Sequence, residues 1–277
     1  MAVEARCLYI LRLFGAAARR LRKVRLVSTL VDKKAEWLKY CRRLYDAGLR
    51  IISESDLMAV GSNVKDPKVL ALALVCRTLS NFNAAVIMIE AGLIVEARTL
   101  TRSCFENLLW LAQLADRRDE FVAEMVRDEV TSQQGRGKIA LSWAERLEGD
   151  TEYEIPLRKR LDDLSAKYPK AKAIRFSDLG KGNNINDSYM WFKVLSADAA
   201  HPSLDSLSRY FSKQRNDELM LSLIPDPRPN ENELTLQFAS QALLGVCVAA
   251  CEICKVPTAH AALGPLFDEF IALAGRP

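Results

Sequence analysis

Histidine is almost missing from this chain: His201 and His260 are the only two in 277 residues, and they do not form a pair at metal-ligand spacing. Asn-Gly and Asp-Gly dipeptides are absent, and no stretch alternates apolar with polar residues for long, so a sheet-built fold is not expected. Phosphate-binding glycine loops are missing too. Gly135-Arg-Gly137 and Gly180-Lys-Gly182 have neither G-x-x-x-x-G-K-[ST] nor G-x-G-x-x-G spacing, and read as ordinary loops. No internal repeat of solenoid length is evident. One uncharged run, Leu234 to Cys251, approaches the length of a membrane span. Thr235, Gln237, Ser240, Gln241 and Gly245 weaken it, and the expected role is a helix buried on all sides of a bundle.

The composition that remains is that of a globular chain: 49% hydrophobic, 27% charged, with a mean hydropathy of −0.03. Such values exclude a disordered or fibrous protein. A chain of this length buries about 75% of its unfolded surface and needs no disulfide or metal to hold it. The net charge of +4 is unevenly placed. Residues 1–25 hold seven basic side chains and one acid, a net of +6, which leaves −2 for the rest. A basic arm on an acidic body is not the charge pattern of a whole-surface nucleic-acid binder.

Within that arm Leu8, Leu11, Phe14, Ala18 and Leu21 share one helical side and Arg12, Arg19 and Lys23 another. A basic amphipathic helix of this kind can meet an anionic membrane or a nucleic acid. Arg12 interrupts the only secretory-type hydrophobic core, while a transit-like segment fits the Arg-rich pattern. Residues 1–28 are therefore expected to form an extension, and 29–277 the folded domain. The plain reading of the extension is a poorly docked terminal helix or a start codon placed upstream.

Seven cysteines are scattered through apolar helical contexts, as free core thiols in a reducing compartment would be. A cytoplasmic location follows as the expectation. Cys247, Cys251 and Cys254 share a helical face, but no second ligand pair accompanies them. No metal and no cofactor is expected.

Helical spacing dominates the chain. It predicts helices over about 33–55 (stripe Trp37, Cys41, Leu44, Leu49), 67–90, 93–116 and 117–148. The last of these carries Phe121, Met125, Ile139 and Trp143 and an interruption near Gly135 and Gly137. Further helices are predicted over 152–169, 188–198, from Pro202 to about 220, 230–255 and 260–274. Asn230 and Glu233 resemble a capping box, and Pro225, Pro227 and Pro229 a rigid linker. The expected fold is all-α: a single irregular multi-helix bundle with a basic N-terminal helical extension.

The helix over 93–116 carries the main chemical signal. It is apolar on most sides, yet Arg98, Arg102, Glu106 and Gln113 form a narrow polar stripe. A charge in low dielectric needs a partner, and Glu106, four residues on from Arg102, can supply one. An internal ion pair fixing helix packing and an anion- or nucleotide-binding pocket lined by Arg98 and Arg102 both fit the pattern. His201, in Ser196-Ala-Asp-Ala-Ala-His-Pro-Ser203, sits where a helix begins and an imidazole tends to stay neutral. It can serve as a base or simply as a cap.

The segments Arg77–Asn83, Glu96–Glu106 and Leu195–Ser203 together resemble a mostly bacterial group of helical proteins known only as a domain of unknown function. The resemblance covers about 70–215. Its specific elements are the Glu-Ala-Arg…Arg…Glu helix and the Ser…His-Pro-Ser turn, which place Arg98, Arg102, Glu106 and His201 at motif positions. Their recurrence implies one shared pocket. A looser similarity is to the HEPN helical bundles, several of which are metal-independent ribonucleases. Their arginine four to six residues before a histidine has no counterpart at His201 or His260.

The expectation is thus a cytoplasmic helical module binding a protein partner or an anionic ligand, with a second copy of the chain among the partners considered. The alternative is an RNA- or nucleotide-processing enzyme. In it Arg102 holds phosphate, Glu106 orients the arginine and His201 acts as acid or base.

Overall fold

A computed structural model describes residues 33–55, 63–146, 153–180, 185–199, 202–213 and 219–275. The arm 1–28 and His201 lie outside the described residues. The described chain is nearly all helix: α1 (Lys34–Glu54), α2 (Pro67–Glu90), α3 (Ile94–Arg146), α4 (Glu154–Lys167), α5 (Phe176–Leu179), α6 (Asn186–Ala199), α7 (Leu204–Ser208), α8 (Glu231–Cys254) and α9 (Pro257–Ala274). Two three-residue strands, β1 (Phe211–Lys213) and β2 (Leu219–Leu221), form one antiparallel ribbon.

Local chemistry sets most of the helix boundaries. Asp66 accepts the Lys68 backbone N–H at 2.7 Å, and Pro67 takes the first helical position of α2, where its missing donor costs nothing. At the other end of α2, Gly92 adopts φ +79. Gly92 N–H then reaches Ile89 O and Leu93 N–H reaches Met88 O, the paired bonds of a Schellman turn. That turn folds α3 back along α2.

The core lies where α1, α2, the first half of α3 and α9 surround α8, with α6 packed on α3 and reaching α8 through Trp191 and Phe238. Two helices, α2 and α8, are long and apolar enough to cross a membrane by length and composition, with 44% and 94% of their most apolar windows buried inside the fold. For α8 the burial matches the expected central helix. Its Cys247 and Cys251 are core residues, as are Cys41 and Cys104, whereas Cys76 is exposed. Burial pushes the Cys41 and Cys104 thiols up to about 12 and raises Cys247 further.

Several expectations are corrected. Leu49 is exposed, because the α1 stripe runs through Tyr40, Ala47, Gly48 and Ile51 instead. The helices expected over 93–116 and 117–148 do meet, at Arg118, whose dihedrals are non-helical (φ 46, ψ −122), so α3 is two helices joined at a kink. Gly135 and Gly137 do not interrupt it. Gly137 lets α4 approach: a Cβ there would meet Leu161 Cδ2 at 2.7 Å. Ile139 and Trp143 point outward, since the second half of α3 meets α4 on one side only.

The helix expected to reach about 220 stops at Ser208. Ser203 Oγ caps its start by accepting from Ser206 N–H. Arg209 then turns inward to Glu231, and the chain continues as the ribbon. Asn230 is no capping-box residue either. It sits at φ 61 without a side-chain cap, and Glu231 accepts the Arg228 N–H in its place.

Candidate functional site

The polar stripe of α3 is built into a seam between α3 and α6, with the first turn of α8 at one end. Helices α3 and α6 run antiparallel: Gln113 Nε2 donates to Leu179 O just before α6, while Arg102 meets Ser196 near its far end. Spacing of four puts Arg98, Arg102 and Glu106 on one side of α3 and Phe192 and Ser196 on one side of α6, and Arg102 is the residue that meets both of the latter.

Arg102 is held on three sides. Its Nη1 donates to Glu106 Oε2 at 3.0 Å, and its Nε donates to Ser196 Oγ at 3.0 Å. The guanidinium carbon lies 4.4 Å from the centre of the Phe192 ring. Ser196 can accept because its own hydroxyl hydrogen goes to Phe192 O at 2.6 Å, so the contacts form a directed chain. Phe192 is steadied in turn by stacking on Phe176 and Tyr189. The Arg102 and Glu106 side chains keep 23% and 25% of their exposure. Nη2 of Arg102 has no partner among the described residues, although guanidinium offers five donors.

One turn earlier on α3 the chemistry is different. Arg98 Nε lies 3.5 Å from Glu231 Oε1. Arg209 donates both terminal nitrogens to the same carboxylate, at 3.0 and 2.6 Å, and the Arg228 N–H adds a bond at 2.9 Å. Arg209 and Glu231 are only 3% and 6% exposed. The fork geometry of guanidinium matches a carboxylate in two places, which makes this the strongest class of ion pair. Glu231 therefore ties α3, the end of α7 and the approach to α8 together.

Of the residues singled out from sequence, Arg98, Arg102 and Glu106 line this seam, and Ser196 of the Ser…His-Pro-Ser segment joins Arg102. His201 lies outside the described residues. His260 sits in the first turn of α9, at the far end of α8, which is about 35 Å long. Phe192, Arg209 and Glu231 carried no functional signal in the sequence. Phe192 and Ser196 do stand four apart, a spacing that puts both on one helical face.

Comparison with known families gives one match. Residues 68–219 match a family of unknown function. The chain belongs to DUF5677. The matched DUF5677 region contains α2, α3 and α6 with Arg98, Arg102, Glu106 and Ser196, but ends before Glu231. No curated protein and no solved structure matches the chain.

Proposed function

We propose that this DUF5677 protein is a cytoplasmic helical binding module that uses Arg102 to recognise an anionic group, a carboxylate or phosphate, on a small ligand or a protein partner. The observation that supports it is the state of Arg102: preset by Glu106, Ser196 and Phe192, partly open, with Nη2 not engaged among the described residues. A guanidinium fixed beforehand loses little freedom on binding, so it favours planar anions. Arg98 supports the site from beneath through Glu231. Free thiols at Cys41, Cys104, Cys247 and Cys251 agree with a reducing compartment.

The test is thermal unfolding and calorimetry with inorganic phosphate, pyrophosphate, citrate and a short single-stranded RNA. Wild type is expected to gain stability with at least one of these anions, and Arg102→Gln to lose that gain while keeping its own melt within a few degrees. A response that survives Arg102→Gln defeats the proposal. Cleavage of the RNA that disappears in His201→Ala would establish the enzymatic alternative instead.

A further inference from the structure

The Arg102–Glu106 pair is joined at one point and open at two. Nη1 of Arg102 donates to Glu106 Oε2 at 3.0 Å, and no second bond makes the pair bidentate. Nε of Arg102 is taken by Ser196. Among the described residues, neither Arg102 Nη2 nor Glu106 Oε1 has a partner, and both side chains stay partly open to solvent. An unengaged donor and an unengaged acceptor are therefore held side by side on adjoining turns of α3.

Aromatic rings border this pair. Phe192 lies 4.4 Å from the Arg102 guanidinium carbon, Phe176 stacks on Phe192 at 5.1 Å between centroids, and Trp110 meets Phe176 at 6.5 Å. Trp110 stands four residues beyond Glu106 on α3, as Glu106 stands four beyond Arg102. The contacts close a circuit from Arg102 through three rings and back to α3, with Glu106 midway along its α3 side. Trp110 and Phe176 are only half-buried. A carboxylate and an aromatic face share one preference: both attract a cation, the first by its charge and the second by the ring quadrupole. The charge balance of the pair points the same way. Arg102 and Glu106 cancel, so an anion brought to Nη2 also meets the negative Oε1. A ligand with its own ammonium beside its carboxylate removes that conflict, because the ammonium answers Oε1.

We infer that the ligand of this site is a small zwitterion of the amino-acid type. Its carboxylate lies on Arg102 Nη2 and its ammonium on Glu106 Oε1, beside Trp110 and Phe176. A free molecule fits this better than a peptide terminus, which carries only one of the two charges. The inference rests on the anion reading of Arg102 and narrows its ligand.

The experiment is calorimetric titration of the full chain with glycine, γ-aminobutyrate and glycine betaine, each set against acetate, methylamine and acetamide. At least one zwitterion is expected to bind about tenfold more tightly than acetate, the ratio that one charge-assisted hydrogen bond supplies. Methylamine and acetamide are expected to bind more weakly than that zwitterion. Arg102→Gln should lose it altogether. Glu106→Gln still accepts from Nη1, and is expected to bring the zwitterion down to the level of acetate while acetate binding persists. Phe176→Leu is expected to weaken glycine betaine, whose methylated nitrogen has no N–H to donate, by about threefold and to leave acetate unchanged. A zwitterion preference that survives Glu106→Gln overturns the inference, and so does acetate or acetamide binding as tightly as every zwitterion. Acetate binding without such a preference, if Arg102→Gln abolishes it, leaves the anion reading of Arg102 standing while this inference falls. No response to any anion, phosphate and citrate included, overturns both.

Discussion

Arg98, which meets Glu231, and Arg102 sit one turn apart on α3, and Glu231 and Arg102 differ in what surrounds them. Glu231 is buried and serves Arg98, Arg209 and the Arg228 N–H at once. Glu231→Gln removes the shared charge and is expected to cost about 3–5 kcal/mol, because buried guanidinium groups lose their carboxylate. Arg102 retains 23% exposure, and water compensates part of any loss there. Arg102→Ala is therefore expected to cost only about 1–2 kcal/mol. Urea unfolding of the two variants checks the order, and a larger loss at Arg102 would contradict the assignment of roles. Thiol chemistry gives a second residue-scale outcome. Burial holds the thiols of Cys41, Cys104 and Cys247 protonated, whereas Cys76 lies open on α2. In the native protein Cys76 is expected to react quickly with an aromatic disulfide reagent and those three only on unfolding. Cys76→Ser should remove one fast-reacting equivalent.

Helix ends carry the next level of the argument. Lys255 closes α8 in the left-handed conformation, φ 56 and ψ 53, and its exposed side chain gains nothing from it. An L-residue is strained there and glycine is not, so Lys255→Gly is expected to stabilise the protein by about 1 kcal/mol. An unchanged or lowered denaturation midpoint would show that the α8–α9 turn is held by other means. Element positions were largely legible in the sequence, with α2 and its Pro67 start the clearest, because caps and periodicity are local signals. The break at Arg118 falls where two helices were expected to meet. Gly137 misled for a physical reason: a glycine that admits a neighbouring helix looks the same in sequence as one that ends its own.

At the scale of the whole molecule, α1 to α3, α6, α8 and α9 share one continuous core among the described residues, with Trp37 of α1 already inside it. Deleting residues 1–28 is therefore expected to leave the cooperative melt within a few degrees of wild type. The same deletion should weaken binding to anionic vesicles or polyanions, and more so at low salt, because that attraction is screened as salt rises. Circular dichroism melts and vesicle co-sedimentation at two salt concentrations measure the two halves of this expectation. Loss of folding on truncation would make the arm part of the core.

Sequence alone determined the helical class, the central buried helix over Leu234–Cys251 and the Arg102–Glu106 pair, because each is written in residues within a turn or two of one another. The recurrence of the Ser…His-Pro-Ser segment beside that helix also pointed to Ser196, which the fold brings to Arg102 Nε. Tertiary structure alone decided the rest. Glu231 lies 22 residues from Arg209 and 133 from Arg98, and only the packing of α3 on α8 makes it their common partner. The pairing of β1 with β2 was hidden for the same reason. Its residues carry no hairpin dipeptide, and the helix expected there gives way where Arg209 is drawn inward to a buried carboxylate that no local pattern announces.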